Sequence, residues 1–156
     1  MKRSAGILLF RRRAGGIQVL LGHPGGPYFK RKDENAWSIP KGEYGENEDP
    51  EAAARREFEE ETGIRLEQPL RPLGEVKQAS GKLVRVWALE HDCDARGLRS
   101  NTCSIEWPPR SGKLQEFPEI DRFEWFTLDN ARIKLVKAQD AFLDRLAAML
   151  SAGAQR

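Results

Sequence analysis

The chain of 156 residues is poor in sulfur and has no long apolar run. Its two cysteines, Cys93 and Cys103, match neither the spacing of a metal-ligand set nor a disulfide framework. They are read as reduced and incidental, which makes the cytoplasm the expected compartment. No apolar stretch approaches the roughly 20 residues of a membrane helix, so no membrane partner is expected. The opening "MKRSAGILLFRRR" has basic flanks, but its apolar part is too short for a secretory signal and lacks a small-residue cleavage site. It is read as a first strand. Repeats, low-complexity tracts and a domain boundary are also missing. Length and an ordinary composition, 39% hydrophobic and 32% charged, lead us to expect one domain over 1–156 with a real core.

Net charge is +2, and its distribution says more than its total. Acid is concentrated in residues 43–61; base occurs as "RRR" at 11–13 and "KRK" at 30–32. Both basic runs read as solvated surface, or more sharply as a rim that attracts a polyanionic substrate. The aromatics do not interleave with the basic residues, so nucleic acid is not expected as a partner, an RNA 5′ end excepted.

The order of elements comes from periodicity and turn chemistry. "AGILLF" and "IQVLLGH" read as neighbouring strands, and "AWSIP" as a short strand stopped by Pro40. "DPEAAARREFEEETG" reads as a helix, with Asp49 as N-cap, Pro50 at the first helical position and Gly63 just past the end. "PLGEVKQ" and "KLVRVWALEHD" read as strands joined by a hairpin at Ala79-Ser80-Gly81. Residues 94–118 read as a long loop, and "IDRFEWFTL" as a strand. Leu135, Ala138, Phe142, Leu146 and Met149 share one face at helical spacing, which should pack on the sheet. These elements imply a mixed sheet with helices on its faces, α/β or α+β.

Five glutamates crowd "ARREFEEETGI". At 100° per residue, Glu57, Glu60 and Glu61 fall within about 100° of one another, while Glu59 points away. The plain alternative is a solvated acidic face paired with Arg55 and Arg56. That alternative fits poorly, because the stripe sits at the C-terminal end of the helix, where the macrodipole disfavours negative charge. A divalent cation would supply the missing positive charge. Oxygen-only ligands select a hard ion, Mg²⁺ or Mn²⁺, rather than zinc. Mg²⁺ held by carboxylates usually binds substrate phosphates, so a phosphate ester or anhydride is the expected substrate.

At this point the sequence resembles a family. "GEYGENEDPEAAARREFEEETGI", residues 42–64, satisfies the Nudix box G-x5-E-x7-R-E-U-x-E-E-x-G-U, with U a bulky apolar residue, at Gly42, Glu48, Arg56, Glu57, Phe58, Glu60, Glu61, Gly63 and Ile64. "WSIPKG" just upstream is similar to the family's strand leading into the box. Phe58 replaces the usual aliphatic residue, and Gly45-Glu46 falls early, leaving Asn47 before Glu48. Neither departure touches the stripe.

The resemblance implies an α/β/α sandwich around a mixed central sheet and hydrolysis of nucleoside diphosphates linked to another group, with Mg²⁺ or Mn²⁺. It makes Glu57, Glu60, Glu61 and the Gly42 carbonyl metal ligands, with Arg56 and Glu48 orienting the carboxylates. In this family the base comes from the Nudix helix, with Glu60 the candidate here, or from a later loop. The later candidates are Glu106, Glu116, Glu119 and Glu124. Glu119 is favoured, because "PEIDRFEWF" resembles the segment of dinucleotide-polyphosphate and RNA-cap pyrophosphohydrolases in which a glutamate at a strand start reaches the metals.

For substrate binding, Lys41 stands beside Gly42 and is set against a solvent-facing lysine. Lys82 and Arg85 are read onto one strand face that could meet the cleft. Tyr28, Phe29 or Trp107 could stack a base, although packing is the plainer role of each. His23, Trp37 and Trp125 are read as structural. The leading expectation is a pyrophosphohydrolase of diadenosine polyphosphates or nucleoside triphosphates. Alternatives are a damaged-nucleotide triphosphatase, an RNA 5′-end pyrophosphohydrolase and, in another class, a non-catalytic nucleotide sensor. Oligomeric state is not readable.

Overall fold

A computed structural model describes residues 2–154. The apolar run "AGILLF" becomes the centre of β1 (Arg3–Arg13), a strand buried on both faces. It pairs in parallel with β5 (Leu83–Glu90) along one edge. Along its other edge it pairs antiparallel with β2 (Gly16–Pro24) and, at its N-terminal half, with β3 (Lys41–Glu43). β4 (Arg71–Lys77) joins β5, and β8 (Ile120–Thr127) joins β2, so the order is β4-β5-β1-β2-β8 with β3 beside β1. The sheet is therefore mixed and the class α/β.

Alternation along β1 builds two cores. Ile7 and Leu9 meet Ala53, Ala54 and Phe58 of helix α1 (Pro50–Thr62). Leu8 and Phe10 meet the opposite layer, where α2 (Leu128–Lys134) supplies Ala131 and α3 (Asp140–Ala154) supplies Phe142, Leu143 and Leu146. Helices on both faces complete the expected sandwich. Among the described residues no helix is long and apolar enough to cross a membrane.

The caps of α1 are those read from the sequence. The Asp49 side chain accepts from the Ala52 N–H at 2.9 Å, Pro50 opens the helix, and Gly63 closes it at φ 82°. That left-handed φ suits glycine, and its N–H satisfies the Glu59 carbonyl at 2.7 Å.

Three expectations need correction. "AWSIP" is not a strand: Trp37 and Ser38 make only isolated bridges, to Leu135 and Gly22. The Ile39 N–H is taken by the Gln139 side chain at 2.9 Å, which breaks the ladder. The segment 94–118 is not a bare loop. It carries a 3-10 turn (Ala95–Gly97) and a separate hairpin, β6 (Thr102–Glu106) with β7 (Leu114–Pro118). "CSIE" alternates apolar and polar residues, but its partner "LQEFP" does not, since the apolar Leu114 shares an exposed face with Glu116, so the pair gives no clear strand signal. Finally, the C-terminal segment is two helices. The chain leaves the helix at Leu135, whose backbone pairs with Trp37, and Ala138 sits in a 3-10 turn (Lys137–Gln139) before α3.

Candidate active site

The stripe on α1 faces β3. A Cβ built on Gly42 would lie 1.9 Å from Glu57 Oε2, so the Glu57 carboxyl occupies the space that any other residue at 42 would fill. Glu61 is 9% exposed, and its Oε2 accepts from the Lys41 N–H at 3.0 Å. Glu60 is more open, at 43% of its side chain. Glu59, as its direction on the helix requires, lines a surface depression beside Arg55 and Arg65, away from the other three.

Arg56 ties the acids together. It holds Glu48 with two hydrogen bonds, 2.8 and 3.1 Å, and Nη1 donates to Glu57 at 2.9 Å and to Glu60 at 3.3 Å. The Arg56 hydrogen bond pulls Glu48 below the usual carboxylate range. Buried carboxyls elsewhere in the site go the other way. Burial pushes Glu61 up to about 8, with the charges of Glu57 and Glu119 adding to the rise and Lys41 opposing it. Glu57 is also raised, by burial first, then by Glu60 and Glu119 against the pull of Arg56. These carboxyls are short of positive charge.

Glu119 belongs to this group although its side chain is exposed, since its charge acts on both Glu57 and Glu61. Its position is set through the end of α1. The Asn101 N–H donates to the Glu60 carbonyl (3.2 Å), and the Glu119 N–H donates to the Asn101 carbonyl (2.9 Å). Ser100 Oγ accepts from the Ile120 N–H at 3.0 Å and lies 3.1 Å from the Ile120 carbonyl. Residues 99–101 thus satisfy helix-end carbonyls that would otherwise be orphaned, and hold the start of β8. Sequence reasoning missed Ser100 and Asn101, and no local signal marks them.

The remaining candidates divide. Glu106 and Glu116 sit on the hairpin, on the face opposite Ile105 and Phe117, and Glu124 is exposed with the parity opposite to Phe123 and Trp125. None of the three joins the group. Arg85 stands opposite Ala5, which stands opposite Gly42, so it lies on the α1 face two strands from Gly42, paired with Glu75 at 3.6 Å. Lys82 lies one residue before β5, so strand alternation does not relate it to Arg85; it pairs at 3.1 Å with Glu43, next after Gly42. Lys41 is half-buried; burial first, then Lys82, lowers its pKa, and its Nζ makes no ion pair among the described residues. Tyr28 is in the loop after β2, packed edge-on to Trp107 at 5.5 Å. His23 is buried, with Nδ1 2.9 Å from Asp121 and Nε2 at the Lys32 carbonyl, which anchors that loop. Trp37 is core, as expected.

No group of three or more His, Cys, Asp or Glu side chains is gathered at metal-binding distance among the described residues. The donor set nevertheless fits a hard divalent ion: it is all oxygen, it includes two carboxyls raised by burial and like charge, and it faces a glycine cradle.

A mixed sheet between helices, with an acidic helix end closed on a glycine strand, defines the class. The chain belongs to the NUDIX family: the NUDIX domain model matches residues 1–146. With that membership it is a hydrolase of the pyrophosphohydrolase class. Among solved structures it is similar to a Caenorhabditis elegans Ap4A hydrolase in a binary complex, at 25% identity over 97% of this chain and 99% of that one, TM-score 0.65. A mutT/nudix family protein from Listeria innocua matches at 19% identity, 99% and 96% coverage, TM-score 0.66. The NUDIX domain of Shewanella oneidensis NrtR, complexed with ADP ribose, matches at 15%, 95% and 87%, TM-score 0.65. No curated protein matches.

Proposed function

We propose that the chain is a Mg²⁺- or Mn²⁺-dependent pyrophosphohydrolase of nucleoside polyphosphates, of diadenosine polyphosphate or nucleoside triphosphate type. The carrying observation is the fit of Glu57 into the space over Gly42, with Glu61 fixed by the next backbone N–H. Likeness to an Ap4A hydrolase over nearly the whole of both chains supports the substrate class. Glu57, Glu60, Glu61 and the Gly42 carbonyl would hold the ion. When bound, such an ion neutralises the diphosphate and lowers the pKa of a water. Arg56, braced by Glu48, keeps Glu57 and Glu60 oriented. Glu119, held by Asn101, takes the proton from the attacking water, with Glu60 the alternative base on the helix. Lys41 and Arg85 flank the cleft and bind phosphate; Tyr28 offers a ring to a base. Lys82, paired with Glu43 next to Gly42 and close enough for its charge to act on Lys41, would add positive charge at the same rim.

The test is a panel of dinucleoside polyphosphates, nucleoside triphosphates and ADP-ribose, with products identified by mass, run with EDTA, Mg²⁺ or Mn²⁺. Metal-dependent release from a polyphosphate is the expected result. No turnover of any compound with either metal overturns it.

A further inference from the structure

The two basic runs of the sequence have different fates. In "RRR", Arg11 and Arg13 both pair with Asp92, at 2.9 and 2.6 Å, and Arg12 pairs with Glu90. In "KRK", Lys30, Arg31 and Lys32 are exposed, and none forms an ion pair among the described residues. Two further exposed cations without carboxylate partners, Arg110 and Lys113, lie in the turn of the β6–β7 hairpin.

Folding brings the two groups together. The ring of Tyr28 meets that of Trp107 at 5.5 Å and 86°, and a Cβ on Gly26 would lie 3.0 Å from Ile105 Cδ1. Lys113 stands across the turn from Trp107, joined by the Trp107 N–H to its carbonyl at 3.0 Å. Aromatic surface stays open there: Tyr28 is 54% and Phe29 39% exposed. The hairpin's own acids, Glu106 and Glu116, share the face of Leu114, opposite to Ile105. The surface begins at the catalytic rim, since the Gly25 N–H donates to the Glu119 carbonyl at 2.8 Å.

Exposed cations without ion pairs among the described residues, on the same two segments as open aromatic rings, match the phosphates and bases of a single strand. Stacking on an aromatic is worth about 1–3 kcal/mol per base and tolerates any sequence, while the cations follow the backbone. We propose that the loop 25–32 and the turn of the β6–β7 hairpin form a binding surface for single-stranded nucleic acid beside the active site. The arrangement lacks the flat, wholly basic character that suits an acidic protein or an anionic membrane. It stands on this geometry and does not need the hydrolase reading.

The test is fluorescence anisotropy of labelled 12-nucleotide oligo-U and oligo-dT carrying 5′-hydroxyl ends, with the full chain in EDTA. At 50 mM salt both strands should bind, and raising the salt to 200 mM should weaken them steeply. Lys30→Glu with Lys113→Glu should weaken binding tenfold or more and make the salt slope shallower by about 1.4, about 0.7 for each lysine–phosphate pairing removed on a single strand. Trp107→Ala should weaken it about fivefold or more. If the double variant melts earlier than the parent, Lys30→Glu alone is read instead. No binding by the parent at 50 mM salt overturns the proposal, as does binding indifferent to the charge reversals. Equal capture by polyglutamate, or by phosphatidylserine vesicles with the same variant pattern, also overturns it in favour of a general polyanion surface. Loss of metal-dependent hydrolysis on every polyphosphate would sink the hydrolase reading and leave these binding results standing.

Discussion

The carboxylate end of α1 and the loop-hairpin rim lie side by side, joined through Glu119, yet they treat charge in opposite ways. At the helix end, Glu61 is buried beside a half-buried Glu57, and one arginine braces Glu48, Glu57 and Glu60. At the rim, cations are exposed and unpaired. Burial makes a charge costly unless a partner of opposite sign arrives. Exposure makes a charge cheap to keep and useful only against a long anion. The first region suits the small hard cation proposed for it, the second the phosphate chain proposed for it.

The largest test breaks the helix-end geometry. Glu57→Gln, Glu60→Gln and Glu61→Gln should each cut kcat by about 10³ or more, since a metal ion's charge stabilisation is worth several kcal/mol. Glu59→Gln should stay near the parent rate. Equal losses at 59 and 60 would show that bulk charge, not direction, matters. Next is the joint between the regions: Glu119→Gln should lower kcat about 10² to 10⁴-fold with nucleotide binding kept, and Glu116→Gln should be near neutral. An unchanged rate at 119 moves the base to Glu60.

A smaller effect is on stability. Glu61 is raised to about 8 in the folded chain against 4.5 unfolded, so the folded state holds the extra proton between those values. Its stabilisation is whole below about 4.5 and is lost as pH rises through about 8, at up to about 1.4 kcal/mol per pH unit. Glu57 shifts in the same direction. Melts in EDTA should therefore fall from pH 5 to pH 8, and Glu61→Gln or millimolar Mg²⁺ should flatten the slope. A flat profile in the parent would contradict the burial argument. The smallest is Ser100→Ala, which removes the hydroxyl bridging Ile120; about 1–2 kcal/mol of stability should go, with kcat falling and KM little changed. A pure stability loss would make Ser100 a scaffold alone.

Much of the helix end was legible, because its information is local. Asp49, Pro50 and Gly63 act within a turn of their own positions, and the 3.6-residue period alone separates Glu59 from the stripe. "AWSIP" misleads because its ladder is lost to Gln139, a hundred residues away. β6–β7 pairs locally, but its second strand puts the apolar Leu114 on an exposed face with Glu116 and so lacks a period-2 pattern. The sequence reading puts Lys82 on the strand of Arg85, but β5 begins only at Leu83, so alternation does not relate the two.

By itself the sequence determined the capped helix and its acidic stripe, because short-range sterics and periodicity specify each, while the role of Gly42 came only with the family resemblance. Only the tertiary structure decided that Arg56 binds Glu48, Glu57 and Glu60 at once, and that Asn101 ties Glu119 to the helix end. It also decided that one basic run is paired with Asp92 and Glu90 while the other, without an ion pair among the described residues, follows Tyr28, which packs on Trp107. Charge partners are chosen by distance in space, and chain order carries no record of that distance until the sheet has closed.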